Sequence, residues 1–236
     1  MPKGVARALE KAITTKEETS FSEREKKEGK YQFMNKNRQE IFQYLTRYPG
    51  SNTTMISKAC GISLHATNWH LRRLVESDYV SKKTIGKKTI FYPTSMIAAE
   101  DVPLFEILNI DKAKAIYLLI IDKNGISQKD ICDILKLTHQ AVIWYTKKLE
   151  GLGLINSLED GKFRRYYPTE LLIEKKDENA KRLEIFKEKL IKKFQKERLS
   201  PAILRSTKDK IVVRIARGRS KTVLTLHLNP FVTVLF

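Results

Sequence analysis

Residues 63–94 read SLHATNWHLRRLVESDYVSKKTIGKKTIFYPT, and this segment predicts a helix followed by a hairpin. The helix is indicated because Ser63 can cap its first turn and three residues recur on one stripe at helical spacing. That stripe consists of Thr67, Leu71 and Leu74. The hairpin is indicated by two short β-favouring runs on either side of Gly86, between Tyr79 and Tyr92.

Two further helices are predicted upstream of this segment. Ile41 and Leu45 lie four residues apart, which is typical of a helix that buries one face. Asn52 or Thr53 can cap a second helix, and Gly61 ends it where a tight turn is needed. A helix, a short glycine-containing turn and a further helix form the arrangement in which the later helix can project into a major groove.

The same arrangement recurs further along the chain, at a constant offset and without a gap. The coinciding residues include Ile41 and Ile116, Gly50 and Gly125, Trp69 and Trp144, Leu74 and Leu149, Gly86 and Gly161, and the tripeptides Tyr92-Pro93-Thr94 and Tyr167-Pro168-Thr169. We therefore predict two copies of one small domain, repeat 1 at residues 36–100 and repeat 2 at residues 108–175. The fold class is mainly α with small β (α+β).

The motif Ser63-Leu-His-Ala-Thr-Asn-Trp-His-Leu-Arg-Arg-Leu74, followed by Tyr79-Val80 and a basic hairpin, resembles the winged helix-turn-helix regulators of the ArsR/MarR/TrmB superfamily, archaeal type. The resemblance covers both repeats, and it implies two tandem winged domains that bind promoter DNA. Tandem winged helices with a basic tail are also similar to euryarchaeal activators, among them regulators of the archaellum (archaeal flagellum) genes. The implied function is sequence-specific transcription regulation, and no enzymatic activity is expected.

The resemblance also implies which residues meet DNA. Exposed positions of the third helix would read base edges, and the wing would hold phosphates. In repeat 1 these residues are Leu64, His65, Asn68, Arg72, Arg73, Lys82, Lys83, Lys87 and Lys88. In repeat 2 they are Thr138, His139, Gln140, Lys147, Lys162 and Arg164. The alternatives are a solvated helix face for the arginines and a solubility role for the wing lysines. Trp69 and Trp144 are predicted to pack in the core or against the wing and not to stack on bases.

The two repeats differ in net charge. The net charge is +18, which favours phosphate backbones or anionic membrane surfaces as partners. Residues 36–100 carry 10 basic and 4 acidic side chains, whereas residues 101–170 carry 10 of each. We expect repeat 1 to be the main DNA reader, and repeat 2 to bind either an adjacent half of the site or a protein partner.

The two ends differ in composition from the repeats. Residues 1–35 are predicted to be a charged N-terminal extension. Residues 176–199 predict an amphipathic basic helix, which packs on its own domain or forms a dimer. Residues 208–236 predict three short β-strands with turns at residues 218–220 and 229–230. We expect this sheet to pack on another subunit, as in a homodimer, or on the basal transcription machinery, because an apolar edge needs a cover.

Catalytic and cofactor motifs are not found in the sequence. Cys60, His65 and His70 do not converge on one ion, so neither a metal nor a cofactor is expected. No signal peptide or membrane span is found, and two isolated cysteines fit a reducing compartment, so a cytoplasmic location is expected. Two other functions stay open, namely a general nucleic-acid-binding, basal transcription or chromatin factor, and a winged-helix scaffold that binds proteins.

Overall fold

A computed structural model describes residues 32–235, with side chains described for residues 33–232. The predicted N-terminal extension lies outside the described residues except for its last four. Those four include a 3₁₀ turn, Gln32–Met34, and its Phe33 is fully buried. The ring centroid of Phe33 lies 4.9 Å from that of Phe42 and 4.4 Å from that of Tyr79, so this turn belongs to the core of repeat 1.

Repeat 1 consists of three helices and a three-stranded antiparallel sheet. The elements are α1 (Lys36–Arg47), β1 (Ser51–Asn52), α2 (Thr53–Cys60), α3 (Leu64–Glu76), β2 (Val80–Ile85) and β3 (Lys88–Pro93). The strand order is β1-β3-β2. Two predicted caps are confirmed, since the Asn52 side chain accepts a hydrogen bond from Met55 N and Ser63 accepts one from Ala66 N. The mainly α fold with small antiparallel sheets is also confirmed.

A short helix, α4 (Val102–Leu108), follows repeat 1 and packs against it. Asn109 Nδ2 donates to Pro49 O at 2.7 Å, and Lys88 Nζ lies 3.5 Å from Glu106 Oε1. The start of repeat 2 is therefore fixed on the turn that follows α1.

Repeat 2 has the same order of elements as repeat 1. They are α5 (Asp111–Asp122), β4 (Ile126–Ser127), α6 (Gln128–Leu135), α7 (His139–Gly151), β5 (Ile155–Asp160) and β6 (Phe163–Pro168). Each begins and ends at the residues that the sequence offset pairs with the ends of its counterpart, and the strand order β4-β6-β5 repeats the first sheet. The ungapped repeat seen in the sequence is thus a repeat of structure.

The long helix α8 (Leu171–Lys196) runs from repeat 2 back to repeat 1. Its apolar residues Leu183, Phe186, Leu190 and Phe194 are buried, and the centroid of the Phe194 ring lies 5.1 Å from that of Phe33. Lys193 Nζ lies 3.3 Å from Asp78 Oδ2. Residue 176 was wrong as the start of this helix, since the helical turn forms directly after the Pro168 wing end and buries Leu172. Of the two interpretations kept open, the structure displays packing on the same chain.

The C-terminal sheet differs from its prediction. Its strands are β7 (Ala202–Ser206), β8 (Lys210–Arg217) and β9 (Ser220–His227), and a helix, α9 (Pro230–Leu235), follows. The first strand lies upstream of residue 208, and the strand predicted after the turn at 229–230 is wrong. The reason is local, because Pro230 suits the first turn of a helix and the side chain of Asn229 accepts a hydrogen bond from Val232 N at 3.3 Å.

The cover for this sheet is provided by the chain itself at the β9 edge. Thr225 N donates to Gln43 Oε1 at 2.8 Å, and His227 N donates to Thr46 Oγ1 at 3.1 Å, so α1 of repeat 1 caps the edge. At the β9 edge the cover is therefore an intramolecular contact, whereas a contact of the sheet with another subunit or with the transcription machinery stays a prediction. None of the helices described is both long and apolar enough to span a bilayer.

Candidate nucleic-acid interface

A groove of about 650 Å³ lies between α3 and the wing of repeat 1, the β2–β3 hairpin. The side chains of His65, Asn68 and Arg72 line it from the helix, and those of Lys82 and Thr89 line it from the wing. The groove therefore combines hydrogen-bonding groups from α3 with a cation from the wing. Thr53, at the first position of α2, also lines the groove, although the sequence analysis identified it only as a candidate helix cap.

The exposed face of α3 follows from its buried one. Thr67, Leu71 and Leu74 are buried, as predicted. The other face therefore turns to solvent, and it carries Leu64, His65, Asn68 and Arg72, all exposed. These four side chains are placed where a duplex could reach them, and their contact with DNA stays a prediction.

Arg73 differs from its neighbour Arg72. Its guanidinium lies 3.1 Å from Glu76 Oε2 and 5.6 Å from the centroid of the Trp69 ring. Arg38 lies over the same ring at 5.6 Å, so Trp69 is half-buried between two cations. Of the two arginines singled out in the sequence, Arg72 is the one that the structure leaves in the groove.

The four wing lysines fall into two pairs. Lys83 Nζ donates to Ala99 O at 2.7 Å, and Lys88 Nζ pairs with Glu106 Oε1 at 3.5 Å. Lys82 and Lys87 are exposed, and no carboxylate of residues 33–232 lies within ion-pair distance of either. Lys82 and Lys87 are consequently the wing cations available to a phosphate.

Repeat 2 has a groove of about 470 Å³ between α7 and its own wing, the β5–β6 hairpin. Three of the predicted contact residues, Lys147, Lys162 and Arg164, line it. His139 lines it as well, and its ring lies 3.0 Å from Gln128 Nε2. Thr138 caps α7 by accepting a hydrogen bond from Ala141 N at 3.3 Å, and Gln140 is exposed beside it.

The cations of this second groove are partly neutralised within the chain. Arg164 donates to Ser157 Oγ at 2.8 Å and lies 3.5 Å from Glu150 Oε2. Glu150 stands where repeat 1 has Val75. Residues 156–165 carry three basic and two acidic side chains, whereas residues 81–90 carry four lysines and no acid. The second groove is therefore the less positive of the two.

Trp144 is 48% exposed, so its predicted place in the core is wrong. Its counterpart Trp69 is covered by Arg38, but the corresponding residue of repeat 2 is Ala113, which is too short to reach the ring. The face of Trp144 is instead approached by Lys148 Nζ, at 4.1 Å from the ring centroid.

His70 is buried under α1 and does not belong to the groove. Its Nε2 lies 3.1 Å from Asn37 Nδ2, and burial, together with the nearby Arg38, lowers its pKa to about 4. The imidazole is therefore neutral at pH 7 and accepts the hydrogen bond from the Asn37 amide. Burial raises the pKa of the Cys60 thiol to about 11. Within the part of the chain that the structure describes, no cluster of three or more His, Cys, Asp or Glu could hold a metal ion.

The depressed pKa of His70 predicts a loss of stability in acid. Below pH 6.5 the unfolded chain takes up a proton that the folded chain does not, so the free energy of unfolding falls as the pH drops from about 6.5 towards about 4. At roughly 1.4 kcal/mol for each unit of pKa difference, the loss at pH 5 is about 2 kcal/mol. Urea unfolding of the wild type and of His70→Gln at pH 7 and pH 5 measures it.

His70→Gln should remove the loss of unfolding free energy that His70 causes between pH 7 and pH 5. The control is His227→Gln. Burial also lowers the pKa of His227, so that variant separates the two histidines. An equal loss between pH 7 and pH 5 in the wild type and in His70→Gln would show that His70 is not the group responsible.

Two helices joined by a short turn, a third exposed helix and a hairpin form the winged helix-turn-helix fold, which occurs here twice in tandem. Residues 34–81 and 111–156 each match the family described as winged helix-turn-helix DNA-binding. An uncharacterized HTH-type transcriptional regulator of Methanocaldococcus jannaschii is 31% identical over 140 residues. That match covers 59% of this chain and 35% of the relative, so the chain spans about a third of the length of that protein.

Solved structures show only distant similarity. A MarR transcriptional regulator from Methanosarcina mazei is 18% identical, with a TM-score of 0.27 over 61% of this chain and 88% of that one. The adhesin competence repressor of Streptococcus pyogenes is 19% identical, with a TM-score of 0.26 over 61% of this chain and 98% of that one. Similarity at this level carries no statement about function.

Proposed function

We propose that this protein is a sequence-specific, double-stranded DNA-binding transcription regulator whose α3 enters the major groove while the wing of repeat 1 contacts phosphates. The observation that carries the proposal is the groove of repeat 1, where an exposed helix face lies beside two wing lysines that have no ion pair among residues 33–232. The family match of both repeats and the regulator from Methanocaldococcus jannaschii support it.

The side chains of α3 suit base reading. An asparagine amide at Asn68 can donate to and accept from the edge of adenine at once, and Leu64 can contact a thymine methyl. His65 adds a ring nitrogen that donates or accepts. Arg72, one turn beyond Asn68, would contact the backbone together with Lys82 and Lys87.

Repeat 2 is proposed to contribute less to phosphate binding than repeat 1, since Arg164 is held by Glu150 and the second wing carries two acids. Two reading helices in one chain can span successive segments of a duplex without a dimer. A homodimer and a contact with the basal transcription machinery remain further proposals. The resemblance to euryarchaeal activators makes archaellum promoters the first natural DNA to assay.

Selection of bound fragments from a random DNA pool, at low and at higher salt, tests the proposal. We expect one motif to be enriched at both salt concentrations. Asn68→Ala should relax the preference at one base pair, at a cost of about 1–3 kcal/mol in discrimination, and leave the salt dependence of binding unchanged.

Asn156→Ala removes an exposed amide from the second wing and is the matched control, with no expected change of motif. Salt-sensitive binding without an enriched motif would contradict the proposal in favour of a general nucleic-acid-binding protein. An absence of binding at either salt would favour the protein scaffold.

A further inference from the structure

The C-terminal sheet concentrates positive charge outside both grooves. Residues 200–232 contain seven basic residues and one acidic residue. The excess of basic over acidic residues is larger here than in the second wing, yet none of these residues lines either winged-helix groove. The feature therefore needs an explanation of its own.

Strand register places four of these cations on one face of the sheet, namely Arg205, Lys210, Arg214 and Lys221. Ile211, Val213 and Ile215 point inward along β8 and are buried, so the residues between them point outward. Directly paired residues of antiparallel strands share a face. The outer face, as the register defines it, includes Ala202, Arg205, Lys210, Val212, Arg214, Lys221 and Val223.

The cations of this outer face are exposed and have no acidic partner among the described side chains. Arg205, Arg214 and Lys221 lie at exposed positions, and no carboxylate of residues 33–232 is within ion-pair distance of them. Clustered like charges repel one another, so this arrangement favours an anion that lies across the face. The side chains between the cations, such as Val212 and Val223, offer no groups that read base edges.

The sheet lies next to the proposed DNA-binding helix through α1. Thr222 Oγ1, near the tip of the β8–β9 hairpin, donates to Gln39 Oε1 at 3.0 Å, which places that tip beside the first turn of α1. Arg38, also in that turn, lies over Trp69 of α3 at 5.6 Å. Trp69 also lines the groove between α3 and the first wing, so α1 connects the sheet to the helix that borders this groove. A duplex held by α3 would thus lie near both the first wing and the basic sheet.

We propose that the outer face of the β7–β9 sheet is a second phosphate-binding surface, which holds the backbone of duplex DNA flanking the site read by α3. Arg205, Arg214 and Lys221 are its contact residues. The inference rests on the proposed function of repeat 1 and adds to it a sequence-independent contact. An acidic protein is the competing occupant, but the duplex is favoured because the same folded unit carries the DNA-reading helix.

The experiment compares the full chain with the triple variant R205Q/R214Q/K221Q. Binding to the selected motif is measured as a function of salt, on a duplex of the motif alone and on one extended by roughly one helical turn, about 10 base pairs, on each side. We expect the wild type to gain affinity from the extension and the variant to gain none. The slope of log affinity against log salt should fall by about 2–3, at ~0.9 for each phosphate that the variant no longer neutralises.

The triple variant K176Q/K181Q/K196Q removes the same charge from exposed positions of α8 and is the matched control. It should keep both the slope and the gain from the flanks. If the sheet variant keeps the salt slope and the gain in affinity from the extended duplex, the inference is overturned and the proposed function is not. An acidic protein would then be the favoured partner of this face. Equal effects of the two triple variants would also overturn it, because net charge alone would then explain them. A wild type that selects no motif would remove the proposed function and this inference together.

Discussion

Reversing the charge of Lys82 and Lys87 together should lower the affinity for the DNA site by roughly a hundredfold at ~0.15 M salt, because two charge-assisted contacts to phosphates are removed and two repulsions are added. Both lysines are exposed on the first wing, and Lys82 lines the groove beside α3. The loss should be nearly uniform across DNA sequences, since phosphates carry no sequence information. Fluorescence anisotropy with the selected motif and with an unrelated duplex measures both quantities.

The pair Lys83 and Lys88 supplies the control on the same hairpin with the same change of charge. Their ammonium groups are directed to Ala99 O and to Glu106, so reversal should cost stability while lowering DNA affinity by less than about tenfold. A thermal melt of each double variant separates the two effects. If both double variants lose DNA affinity equally, the distinction drawn between the two pairs of lysines is wrong.

The distinction between the two pairs of lysines could not be predicted from the sequence. The constant offset between the repeats, the stripe of α3 and the cap at Ser63 are local patterns, and they predicted the three helices and the wing hairpin of each repeat. The short strands β1 and β4 were not predicted, because they pair with β3 and β6, which lie far away in the sequence. The partners of Lys88 and Arg164 depend on contacts made by the folded chain. Lys88 meets Glu106 only because α4 packs on repeat 1. The sequence alone therefore could not distinguish Lys83 and Lys88, which have partners within the chain, from Lys82 and Lys87.

The C-terminal region also combines features that could be predicted from the sequence with features that could not. The strands β8 and β9 were visible in their alternating apolar residues, whereas the contacts of Thr225 with Gln43 span 182 positions and leave no local signal. The helix α9 is a different case, because Asn229 followed by Pro230 is a helix-start pattern that the strand interpretation overlooked. The exposure of Trp144 was also readable in principle, since the repeat offset sets Ala113 against Arg38.

Gly50→Ala should destabilise the protein by at least ~3 kcal/mol, a loss caused by both backbone strain and collision. Gly50 has a φ of +83°, which L residues adopt at a cost of about 1–2 kcal/mol. A Cβ there would lie 2.8 Å from the Cβ of Phe105 and 2.9 Å from the backbone nitrogen of Glu106. Backbone atoms cannot move aside unless α4 as a whole shifts away from repeat 1. At ~2–4 °C per kcal/mol, the thermal midpoint should fall by about 6–12 °C.

The counterpart substitution Gly125→Ala introduces the same backbone strain without the collision with backbone atoms. Gly125 has nearly the same φ, +81°, but a Cβ there would first meet the ring of Tyr167 at 3.2 Å, a side chain that can yield by a few tenths of an ångström. We therefore expect Gly125→Ala to lower the free energy of unfolding by about 1–2 kcal/mol, from strain alone. Equal losses at Gly50 and Gly125 would mean that α4 is not seated against the turn of repeat 1. A larger loss at Gly50 would mean that the helix linking the repeats is part of the first folded unit, so that the orientation of the second groove relative to the first begins with this contact.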